Sequence, residues 1–106
     1  MASLKWNEYR AIFTNNHVWV LELVMKDNRS LVAGKVHEDY PGNSGGCSVK
    51  LFVDELGGYY ERAKTLEEAK ERLTNLVLGK LFEEGDAYVS VLERRARALW
   101  RASHEF

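Results

Sequence analysis

Residues 17–26, His-Val-Trp-Val-Leu-Glu-Leu-Val-Met-Lys, constrain the fold more than any other segment of the chain. They are dense in β-branched and aromatic residues, the types that fit a pleated and half-buried surface. Taken with a period of two, one face carries His17, Trp19, Leu21, Leu23 and Met25, and the other Val18, Val20, Glu22, Val24 and Lys26. Both faces are largely apolar, so the segment reads as a central strand that needs cover on each side. One helix can cover one face only. The second cover must come from another element, a twin subunit or a foreign partner.

The flanking segments supply neighbours for that strand. Residues 6–13 mix aromatic and aliphatic residues with polar interruptions. Asn15-Asn16, which tolerate left-handed backbone angles, suit a tight hairpin after them. Asp27-Asn28-Arg29-Ser30 has the composition of a second turn, and residues 31–37 read as a third strand. The stretch 38–46 holds the only proline and three of the eight glycines, and is expected to be a loop. Cys47, Val49, Leu51 and Val53 then alternate with Ser48, Lys50 and Phe52, the pattern of a half-buried strand. Residues 54–58 close a hairpin into a short fifth strand at 59–63.

At Thr65 the period changes to about 3.6. Thr65 with Glu68 three residues on is a capping-box signature. Leu66, Ala69, Leu73, Leu76, Val77 and Leu81 share one face of the predicted helix 66–84. Gly85 is a natural stop, and Asp86 can cap a second helix over 87–103. Its apolar positions, Tyr88, Val89, Leu92, Ala96, Leu99 and Trp100, form a single stripe. Five strands joined by hairpin-length gaps leave no room for parallel crossovers. The expected fold is one α+β domain over 1–106: an antiparallel meander of about four to five strands, then two helices, one packed on the sheet.

Composition agrees with a globular chain, at 45% hydrophobic and 29% charged residues over 106 positions. The apolar runs are a few residues long, against the roughly 20 that a spanning helix needs. Residues 1–8 lack the basic flank and apolar stretch of a secretory leader, and the single cysteine, Cys47, permits no intrachain disulfide. A cytoplasmic location is the expectation. Net charge is −1, divided as +1 over 1–53, −3 over 54–85 and +1 over 86–106. No broad basic surface of the kind that binds phosphate backbones is apparent, so nucleic acid is not expected as a direct ligand.

Pro41-Gly42-Asn43-Ser44-Gly45-Gly46 resembles the segment around the nucleophile of chymotrypsin-like serine proteases, particularly the heat-shock protease type. The resemblance covers six residues and implies Ser44 as nucleophile, His17 or His37 as base and Asp27 or Asp39 as orienting acid. That fold needs two β-barrels and about twice this length, with the serine near the end of its domain. The segment is therefore read as a loop, and the protein as a non-enzyme. Cys47 opens an apolar face, which favours a buried hydrophobe over a reactive thiol. His17, His37 and His104 have no ligand-like spacing, so neither a metal nor another cofactor is expected.

The last helix carries Arg94, Arg97 and Arg101 at steps of three and four, with Arg95 adjacent and Trp100 beside them. Arginine near a helix C-terminus complements the macrodipole. The same stripe suits a carboxylate-rich or phosphate-bearing partner, with Trp100 as anchor. Trp19, Arg94, Arg97, Trp100 and Arg101 are the candidate partner contacts. The expected function is non-enzymatic protein–protein interaction, with a foreign protein or a second copy in a homodimer. In style the domain is similar to accessory and inhibitor proteins carried on phages and other mobile elements. The alternative is a small-ligand domain with an aromatic-lined pocket.

Overall fold

The structure is a computed structural model, described here for residues 3–10, 17–38, 46–54 and 57–104. Its elements are β1 (Ser3–Arg10), β2 (His17–Val24), β3 (Ser30–Glu38), β4 (Cys47–Phe52), β5 (Gly58–Ala63), α1 (Leu66–Glu84) and α2 (Asp86–His104). The strands form one antiparallel sheet in chain order, β1-β2-β3-β4-β5. This is the expected meander, and β2 lies inside it. The Asn15-Asn16 turn, residues 11–13 of the expected first strand and the loop segment 39–45 fall outside the described residues.

The two faces of β2 separate as their alternation requires. Trp19, Leu21 and Leu23 are buried, and their sheet neighbours Val36, Gly34 and Leu31 on β3 and Leu4 and Trp6 on β1 share that face. Helix α1 lies over this face, above β3, β4 and β5, and buries Ala69, Leu73 and Val77 against it. Its start follows the sequence signal, with Thr65 Oγ1 accepting the backbone N–H of Glu68 at 3.1 Å. The return bond differs from a strict capping box: the Glu68 carboxylate accepts from Lys64 N–H at 3.1 Å. Arg72 then ties the helix to the edge strand, reaching Glu61 at 2.8 Å, the Arg62 carbonyl at 2.8 Å and Glu68 at 2.7 Å.

Strand β3 departs from simple alternation. Leu21 pairs with Gly34 but the next residue, Glu22, pairs with Val32, so Ala33 is the extra residue of a bulge. The bulge resets which residues face α1: Leu31 before it and Gly34 and Val36 after it share one face. Gly34 has no room for a side chain between the β4 backbone and α1. A Cβ at this position would lie 2.5 Å from the Lys50 carbonyl oxygen and 2.7 Å from Leu73 Cδ1.

The turn between the helices is a single residue. Gly85 has φ of +53°, a region that disfavours side chains, and its N–H caps α1 through the Leu81 carbonyl at 2.9 Å. The reversal sends α2 to the sheet face opposite α1. There, Leu92, Arg95, Ala96 and Leu99 of α2 look onto Val20, Glu22, Val32, Lys35 and Phe52. At the other end of β2, the Asp27–Arg29 turn has Asn28 at φ +67°, and Arg29 approaches Glu93 of α2 at 3.9 Å. Each face of the sheet thus has a helix, centred on β3 and β4 rather than on β2, and the second face is covered only in part. Among the described residues, no helix is long and apolar enough to cross a membrane.

The close approach at Gly34 gives a direct test of this packing. Gly34→Ala is expected to destabilise the protein by about 1–3 kcal/mol in urea unfolding, as overpacking of a tight contact does. Adding Leu73→Ala should not restore stability, because the Lys50 carbonyl is fixed in the β-ladder.

Candidate functional site

The site follows from the way α2 meets the sheet. Its first half packs fully: Tyr88 and Leu92 are each 2% exposed. Beneath it lies Phe52, which strict alternation along β4 assigns to the polar face and which α2 buries. The Tyr88 hydroxyl donates to the Phe52 carbonyl over 3.5 Å, and the Arg95 guanidinium stacks on the Phe52 ring at 3.7 Å. The second half of α2 stands off the sheet. Leu99 is 51% and Trp100 62% exposed, so the apolar stripe continues past the point where burial stops. Between this half-helix and the sheet runs a groove of about 590 Å³, with apolar walls from Tyr9, Val20, Val32, Phe52, Leu92 and Leu99.

Three charged side chains also line it: Glu22, Lys35 and Arg95. Glu22 accepts a hydrogen bond from the Asn7 side-chain amide at 2.7 Å. Lys35 lies directly across the ladder from Lys50, a like-charged cross-strand pair. Burial pushes the Lys35 ammonium below its ordinary value, and repulsion from Lys50 and Arg95 adds to this against an opposing effect of Tyr60. Burial also lowers the Arg95 guanidinium, with Asp54 and Tyr60 acting the other way. Lys50 is held over two rings, 5.3 Å from the Phe52 centroid and 4.9 Å from that of Tyr60. Such contacts favour a cation without neutralising it.

The five residues read from the sequence as partner contacts do not form one surface. Trp19 is buried on the α1 face, where Lys70 approaches its ring at 5.6 Å and His17 stacks on it at 5.6 Å. It is a core residue because β2 turns that face toward α1. Arg94, Arg97 and Arg101 point to the solvent side of α2, with Arg97 3.6 Å from Glu93. Trp100 lies between that stripe and the groove. The sequence reading passed over Lys35, Phe52 and Tyr9. Arg95, treated there as an adjunct of the arginine stripe, in fact takes the sheet-facing side. Its spacing from Leu92 and Leu99, three and four residues away, was the available signal.

The protease-like arrangement is not brought together by the described residues. Ser44 and Asp39 lie outside them, and His17 and His37 sit on opposite faces of the sheet. His17 contacts Glu8 through Nδ1, while Asp27 accepts from Arg29 N–H at 3.2 Å and from Arg29 Nε at 2.7 Å. That backbone bond, with the Arg29 guanidinium, holds the Asp27 carboxyl below its ordinary value. Cys47 is buried at the start of β4, facing α1. Among the described residues no cluster of three or more histidine, cysteine or acidic side chains could hold a metal. No protein-family model, curated protein or solved structure matches the chain.

Tyr88 reports on the docking of α2. Burial, with Glu84 adding to it, pushes its hydroxyl up to about 12 from an ordinary 10. The folded state therefore keeps a proton that the unfolded chain loses, and stability falls as pH rises from about 10 toward 12, with no effect well below 10. Tyr88→Phe is expected to cost less than about 1 kcal/mol at pH 7, since the hydroxyl bond is long. In urea unfolding across pH 7–11.5 the variant should show a shallower alkaline decline than the parent.

Proposed function

We propose that the protein is a non-enzymatic interaction module, an accessory or inhibitor type of protein that docks another protein through the exposed side of the second half of α2. The observation that carries this reading is the unfinished stripe of α2, buried at Tyr88 and Leu92 and open at Leu99 and Trp100. Fully burying a large apolar side chain contributes about 1.5–3 kcal/mol. The isolated chain forgoes about half of that at two successive positions, and a protein surface placed there recovers it. Arg97 and Arg101 flank the pair, giving an aromatic anchor with a charged rim, the usual anatomy of an interface.

A second reading, a small-ligand domain, is favoured by the groove itself and is compatible with a protein on its rim. A homodimer through the same face is the remaining form of the first reading. Light scattering distinguishes it from a foreign partner.

The test is affinity capture from the native host with the parent protein and with a Leu99→Asp/Trp100→Asp double variant. A specific partner should be retained by the parent and lost by the variant, while the variant's unfolding midpoint stays within about 0.5 kcal/mol, as for exposed positions generally. Equal retention by both proteins counts against this surface. A strict monomer that retains nothing counts against the function.

A further inference from the structure

The groove has a chemical character of its own. Its walls are aliphatic and aromatic, and its charged lining brings together Lys35 from β3 and Arg95 from α2, with Lys50 directly across the ladder from Lys35. Like charges placed opposite each other on adjacent strands are destabilising. Among the described residues no carboxylate forms an ion pair with Lys35. Glu22 lines the same groove and is held by Asn7, and Asp54 acts on Arg95 from outside the lining. A sheet face that a helix partly covers is an expensive place for the like-charged pair Lys35 and Lys50. Local rules of this kind are broken most often where a ligand supplies what is missing.

We propose that the groove between α2 and the sheet binds an amphipathic anion, an apolar body bearing one carboxylate, with its head group at Lys35 and Arg95 and its body between Val20, Val32 and Leu99. The volume of about 590 Å³ falls within the roughly 300–1,000 Å³ of small-molecule sites. The two cations sit on different elements, so a carboxylate bridging them joins β3 to α2. Arg95 presents a planar fork of donors while its face rests on Phe52, and Lys35 offers a point charge beside it. A neutral ligand of the same shape leaves the repulsion in place. A cationic one adds to it. This goes beyond the docking of a protein: ligand in the groove and protein on the Trp100 rim are tested by separate variants.

The probes are decanoate, 1-decanol and butyrate, each below its aggregation limit, titrated against the full chain with amide chemical shifts as readout. Decanoate should saturate a single site and shift the amides of β3, of β2 around Val20 and Glu22, and of α2. Decanol and butyrate should each bind at least tenfold more weakly, one lacking the charge and the other the body. Lys35→Gln should weaken decanoate at least tenfold, and Arg95→Lys should weaken it less. Ala96→Trp, at an exposed position on the groove wall, should block binding with little change in thermal unfolding. The proposal is overturned if decanol matches decanoate, if Lys35→Gln binds as the parent does, or if the shifts fall at the exposed Leu78 and Phe82 of α1 instead. Preference for a ten-nucleotide single-stranded DNA over decanoate on the same face also overturns it. Trp100→Asp, outside the groove lining, should lose the protein partner while still binding decanoate; loss of both together would show that the groove does not act on its own.

Discussion

The rest of the structure depends on burying β2 from both sides. Trp19, Leu21 and Leu23 on one face and Val18, Val20 and Val24 on the other cannot be satisfied by one helix, and the chain after the sheet supplies two. A one-residue connection decides where the second goes. Because Gly85 takes a positive φ that closes α1 and starts α2 at once, α2 is turned off the α1 layer and across to the opposite face. The length and direction of α2 then fix how much of that face it reaches. Tyr88 and Leu92 extend the core over Phe52, and beyond them the stripe is exposed at Leu99 and Trp100.

The two layers differ in quality. Under α1 the packing is close enough to require glycine at position 34, and the helix is fastened at its start by Thr65 and through Arg72 to β5. Under α2 the sheet presents Lys35, Lys50 and Glu22 among its valines, and Arg95 joins them from above. Desolvating a lysine between two other cations offsets part of what Leu92 and Tyr88 contribute. Partial separation of α2 keeps those charges hydrated. The groove is thus the physical compromise between an apolar stripe that draws the helix down and a cationic sheet face that resists full closure.

Much of this was legible in the sequence, for identifiable reasons. The two faces of β2 followed from an uninterrupted period of two, and the boundaries of α1 from Thr65, Glu68 and Gly85, whose chemistry is local. Three features were not legible. Residues 31–37 do not alternate cleanly because Ala33 is a bulge, which moves the core face from Leu31 to Gly34 and Val36; a glycine inside an apolar strand was the faint sign of it. Phe52 falls on the polar side by alternation and is buried only because a distant helix arrives there. An amphipathic stripe tells that a helix has a buried side, but not against which sheet face, so the meeting of Lys35 with Arg95 needed the tertiary structure. Trp19, expected at a partner surface, is buried in the core for the same reason, since an aromatic on a two-faced strand belongs to whichever helix lands above it.

These constraints also link binding to folding. Among the described residues, burial of α2 is greatest at Tyr88 and Leu92 and falls at Leu99 and Trp100, so its second half contributes less to holding the layer closed. Any occupant that touches both Arg95 or Leu99 on α2 and Lys35 or Val32 on β3 binds the closed arrangement and has no counterpart in the unfolded chain. Its stabilisation then grows with concentration as RT ln(1 + [L]/Kd), about 2.7 kcal/mol at a hundredfold excess over Kd. The cross-strand lysine pair that weakens the isolated domain becomes favourable once an anion lies between α2 and β3. The same residues that leave the second layer incomplete therefore give it something to recognise.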